Sequence, residues 1–216
     1  MNVITDSTDL GRDEALLWAI LFRFESLAVE QYAGLVPALL TPEKQTLVAL
    51  LRTRAHGDEE LAGTQLEAPL AELMRSVTSR DEARVLIGQG LFLELIGEAI
   101  YRSFSQNAAA SEPTRKLCAL GAAASGRART LVPALLRTRI GEGAVLLQAI
   151  MTEAAPLLRS LDDLGDGIDA MFLDRFGLSF ADLMGDVAAE LIAVCLDLGI
   201  DRRKFVAFLT SALMGI

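Results

Sequence analysis

The sequence predicts an all-α fold, and three observations carry the prediction. Apolar residues recur at helical spacing through every long stretch, and no segment alternates polar and apolar residues over more than a few positions. The filling residues are mainly Leu, Ala, Val and Ile: 52 % of the 216 residues are hydrophobic and only 6 % aromatic, the usual make-up of packed helices.

Residues 1–12 are polar and expected to fray. A first helix is predicted from near Asp13 to Pro37, where a proline interrupts the ladder. Thr41, Pro42 and Glu43 then read as a helix start, with a capping hydroxyl, a first-turn proline and an acid facing the dipole. That second helix is predicted to run to about Leu66, with a short helix over 68–77 and a break at Thr78 and Ser79. Ser79 and Glu82 form a capping-box pattern that opens a helix over 80–105. A loop over 107–111 leads to a helix from Pro113 to about Arg139, which Pro133 should kink or divide.

Gly141 and Gly143 mark the next boundary, before a helix over 144–161 that contains Pro156. The run LDDLGDG at 161–167 predicts a turn, followed by a short helix around 168–176 that Gly177 ends. Ser179 with Asp182 caps a helix whose apolar stripe runs from Phe180 to Leu198, and Gly199 closes it. Asp201 caps a last helix over 202–214. The expected organisation is one domain, with a helical core over 13–139 and a C-terminal helical extension over 141–216.

Composition excludes several function classes. A net charge of −9 disfavours a nucleic-acid surface, which needs a basic face to neutralise phosphates. The arginines at 127, 129, 137 and 139 read as the solvated side of a helix. The longest runs without a charged residue fall well short of the roughly 20 residues that cross a membrane. No signal-peptide pattern opens the chain, and Cys118 and Cys195 lie in apolar helical patterns without ligand spacing, so a cytoplasmic location is expected. The nearly all-apolar end, FVAFLTSALMGI, should insert between other helices or form a subunit contact, and a homodimer is expected through it.

One pattern could carry chemistry. Glu25 is followed by Ala28 and Tyr32, and Glu94 by Gly97 and Tyr101, with the same spacing in both stretches. That spacing puts each trio on one helix face, and both faces are otherwise apolar. A carboxylate in an apolar stripe needs a partner, because an unpaired buried charge is costly. Arg23, Arg54, Arg127 and Arg129 are the candidate partners; solvent at the edge of the bundle and a metal ion are the alternatives.

Two helical hairpins, each with an inward Glu on its first helix, resemble the ferritin-like superfamily, over residues 13–139. The resemblance implies an up-down bundle with each hairpin antiparallel and with Glu25 and Glu94 facing each other across the core. In that family such glutamates bridge a di-iron or di-manganese centre, completed by Glu-x-x-His on the partner helices. Here His56 precedes Glu59 by three, the reverse order, and the fourth helix offers neither acid nor histidine. Glu25, His56, Glu59 and Glu94 remain as candidate metal ligands. Two functions follow: a ferritin-like protein without an intact metal centre, binding a protein partner or an apolar small molecule; or an iron- or manganese-dependent oxidase with an atypical site. A purely helical adaptor unrelated to ferritins is a third reading.

Overall fold

The structure, a computed structural model, describes residues 7–55, 61–168 and 176–214. Among them every regular element is helical, as the apolar spacing requires. Helix α1 (Ser7–Leu35) leads through a short 3-10 turn (Pro37–Leu39) into α2 (Pro42–Arg54) and α3 (Glu67–Val77). Next come α4 (Glu82–Val85), a π-helical segment (Leu86–Leu93) and α5 (Glu94–Gln106), followed by α6 (Glu112–Arg139). Helices α7 (Gly143–Ile168), α8 (Phe180–Asp197) and α9 (Arg202–Met214) complete the order.

Several starts follow the expected capping chemistry. Lys44 N–H donates to the Thr41 hydroxyl, Asp182 N–H to that of Ser179, and Lys204 N–H to the Asp201 carboxylate. At α4 the cap differs from the expected Ser79: Asp81 accepts from Arg84 N–H, while Ser79, two residues earlier, accepts from Asp81 N–H. Pro133 does not divide α6, which is continuous from Glu112 to Arg139.

Two boundaries differ for packing reasons. The second helix stops at Arg54, and residues 61–66 form turns in which Gly63 has φ +71°. Leu61 and Leu66 are both fully buried there. Residues five apart lie roughly 140° apart around an α-helix, so a single helix would expose one of them. Conversely, the predicted turn at 161–167 is helical, as the last part of α7. Leu161, Leu164 and Ile168 bury one face of it, and that gain overrides the turn propensity of the sequence. A Cβ on Gly165 would come within 2.6 Å of the Phe180 ring, so the glycine permits close contact with α8. The short helix expected over 168–176 lies, apart from its ends, outside the described residues.

Contacts set the helix directions. Arg54 stacks over Trp18 at 5.2 Å while Lys44 reaches Glu25, so α2 runs antiparallel to α1. Gly90 faces Val132, Gly97 faces Ser125 and Gly121 faces Tyr101, so α6 runs antiparallel to the π segment and α5. One hydrophobic cluster extends from Leu16 to Leu209 and takes in α7, α8 and α9. In the apolar last helix, Phe205, Phe208 and Leu209 are buried and Val206 is exposed, so α9 packs on the core along one face. Among the described residues, Gly143–Leu161 is long and apolar enough to cross a membrane, by length and composition only; Leu146, Ile150, Ala154 and Leu157 on it are buried within the fold.

Candidate functional site

Lys44 lies in the first turn of α2, placed there by the Thr41 cap and Pro42. Its side chain turns inward rather than to water and is 2 % exposed. The ammonium stands 2.6 Å from Glu94 Oε2 and 2.8 Å from Glu25 Oε2, with Ser125 Oγ at 3.4 Å. The contact with Glu94 is also an aligned hydrogen bond; that with Glu25 is a contact ion pair whose angle misses hydrogen-bond alignment. Charge at 2.8 Å makes the second attraction strong even so.

The tyrosines cross over. Tyr32, on the helix of Glu25, donates to Glu94 Oε1 at 2.8 Å, and Tyr101, on the helix of Glu94, donates to Glu25 Oε1 at 2.9 Å. Residues 25 and 32 therefore meet residues 101 and 94 in reverse order, so α1 and α5 run antiparallel across the core. Five of these six side chains come from α1, α2 and α5, and the sixth, Ser125, ties in α6.

The electrostatics follow from burial and counting. Desolvation raises the Tyr32 hydroxyl pKa well above its ordinary value, and the Glu94 carboxylate raises it further. Burial and then Glu25 do the same to Tyr101. Both phenols stay protonated and act as donors. Burial alone would lower the Lys44 pKa, but Glu25 and Glu94 outweigh it and the net direction is upward. The amine is therefore held as an ammonium, and it is not available as a nucleophile. Burial is the largest influence on Glu94 and raises its pKa; Lys44 opposes this and Glu25 adds to it, with a net rise. Two carboxylates share one ammonium, and the second carboxylate adds to the upward direction at Glu94.

Beside this cluster lies an apolar cavity of about 70 Å³. Leu17, Phe24, Ile100, Leu164 and Leu183 form part of its wall, and Lys44, Glu25, Glu94 and Gln89 form its polar end. Gln89 is 2 % exposed, and its amide nitrogen has no hydrogen-bond partner among the described residues. It comes from the π segment, where Glu94 N–H donates to the Gln89 carbonyl. In an α-helix, residues five apart point roughly 140° apart; the wider π turn brings Gln89 and Glu94 to one cavity.

Of the expected ligands, Glu25 and Glu94 come together, whereas His56 and Glu59 lie outside the described residues. The arginine partners expected for the two glutamates are replaced by Lys44. Arg129 instead pairs with Glu98 at 2.7 Å and Glu190 at 2.9 Å, and Arg54 covers Trp18. Among the described residues no three His, Cys, Asp or Glu side chains form a metal-binding group. The donors at hand do not fit a cation as they stand, because the ammonium occupies the position between the carboxylates. Sequence reasoning missed Lys44 and Gln89. The signals available were an apolar face next to a first-turn lysine and a Gly88-Gln89-Gly90 triplet inside an apolar helix. Comparison with protein-family models, with curated proteins and with solved structures gave no match.

Proposed function

We propose that this chain is a ferritin-like helical bundle in which the Lys44 ammonium stands in for a metal centre, and that it works by binding a small apolar molecule in the adjoining cavity. The observation that carries the reading is the cavity itself, whose apolar wall ends on a closed set of ion pairs and hydrogen bonds. Lys44, Tyr32 and Tyr101 use the carboxylate oxygens that a metal would need, which supports binding over redox chemistry. An apolar cavity of this kind stays dry and takes up hydrocarbon-sized guests when it is large enough. At about 70 Å³ it is roughly half the engineered cavity that admits benzene, which points to short, slender ligands.

Ligand-observed NMR with isopentane and the full chain tests the reading. Binding is expected, and it should disappear in Ala28→Leu, which fills the cavity from α1. Elemental analysis of the dialysed protein forms the second arm. Well under one equivalent of iron, manganese or zinc is expected. A stoichiometric metal that vanishes in both Glu25→Ala and Glu94→Ala, with unchanged helicity, would replace this reading with the oxidase.

A further inference from the structure

We infer that the cavity selects a neutral molecule bearing one hydrogen-bond-accepting oxygen, a short-chain ketone or an equally small carbonyl compound, whose oxygen receives the amide N–H of Gln89. The inference rests on the ligand-binding reading above and adds the chemical class of the ligand. Three observations carry it.

First, the Gln89 side chain lines the cavity, and its amide nitrogen is buried and lacks a partner among the described residues. A buried donor left unpaired is costly, so such groups are normally satisfied by protein, water or ligand. Second, the donor is held in place by an uncommon backbone. The π turn at Leu86–Leu93 is what brings Gln89 to the same cavity as Glu94, and π segments recur at functional sites. The flanking glycines allow that backbone to sit close to its neighbours: a Cβ on Gly90 would come within 3.3 Å of Leu39 and Val132. Third, the charge beside the cavity already includes more carboxylate than ammonium. An anionic ligand would add to that excess in a poorly solvated space. An ammonium ligand would face Lys44 and could accept nothing from Gln89. A saturated hydrocarbon would fill the wall and leave the donor unpaired. A neutral acceptor satisfies all of these conditions.

The test compares molecules of one shape and different polarity on the full-length protein: butanone, isopentane, propanoate and sec-butylamine. Ligand-observed NMR titration gives their relative affinities. Butanone is expected to bind on the order of tenfold more tightly than propanoate or sec-butylamine, and to lose about tenfold in Gln89→Leu. Isopentane should bind Gln89→Leu at least as well as it binds the wild type, since the unpaired donor is gone. Gln89→Met serves the same purpose if Gln89→Leu does not fold. If isopentane binds the wild type but butanone shows no dependence on residue 89, a water satisfies Gln89 and this inference falls while the ligand-binding reading stands. Preference for propanoate or sec-butylamine also overturns it. If no probe binds, both the inference and the reading fail.

Discussion

The ammonium of Lys44 lies 2.6 Å from Glu94 Oε2, with the two side chains 2 % and 3 % exposed, in the core between helices that are far apart in sequence. A buried ion pair is held by mutual attraction that must offset two desolvation costs, so its partners are strongly interdependent. Glu25 makes the pair a triad, and the crossed tyrosines saturate the remaining carboxylate oxygens.

Lys44→Met should therefore destabilise the fold by about 3–5 kcal/mol, since it leaves two buried carboxylates without their counter-charge. Adding Glu25→Gln and Glu94→Gln to the same chain should recover most of that loss. Urea unfolding followed by circular dichroism gives both values. A triple variant no more stable than Lys44→Met alone would show that the charges are not what couples these positions.

Titration supplies an independent check. The Glu94 pKa is raised above 4.5 in the fold, so its proton binding contributes stability that is fully present below 4.5 and is lost as pH rises through the higher folded value. Glu94→Gln cannot lose that proton. Its stability relative to the wild type should therefore climb with pH above 4.5 and level off once Glu94 is ionised in the fold. Paired unfolding curves across that range decide the sign; a relative stability that falls with pH would mean that Lys44 outweighs burial.

The contact between Tyr101 and α6 predicts a steric effect. A Cβ on Gly121 would sit 2.4 Å from Tyr101 Cδ1, on a rigid ring fixed by its bond to Glu25. Gly121→Ala should cost about 1–3 kcal/mol despite alanine's higher helix propensity. Tyr101→Phe should cost about 1–3 kcal/mol by removing a buried donor from a carboxylate. Thermal unfolding of the two variants and their combination would test this. A stabilised Gly121→Ala would place the ring elsewhere.

Both cysteines should be chemically silent in the native state. Burial pushes the Cys118 and Cys195 thiols up to about 12, with Glu14 adding to the effect at Cys118. Little thiolate then exists near neutral pH, and access is closed. Iodoacetamide followed by mass spectrometry should modify neither residue in the folded protein and both after unfolding in guanidinium. Rapid native labelling at either one would contradict its burial.

The sequence by itself determined the helical class, most helix starts and the inward facing of Glu25 and Glu94. These are local or periodic properties: caps act within a few residues, and a carboxylate at helical spacing from Ala28 and Tyr32 can only share their face. Tertiary structure alone decided what meets those carboxylates. Lys44 follows Pro42 and Glu43 in a polar first turn, where a lysine ordinarily points to water, and only the approach of α2 to α1 and α5 gives it two buried partners. Gln89 was hidden for a related reason. Read with the α period it leaves the face of Glu94, and only the π turn, stabilised by packing from both sides, returns it. The end of α7 shows the same balance, since burial of Leu164 and Ile168 outweighed a turn-forming sequence. Local preferences amount to less than about 1 kcal/mol per residue, whereas burying one large apolar side chain contributes about 1.5–3 kcal/mol, so long-range contacts decide wherever the two conflict.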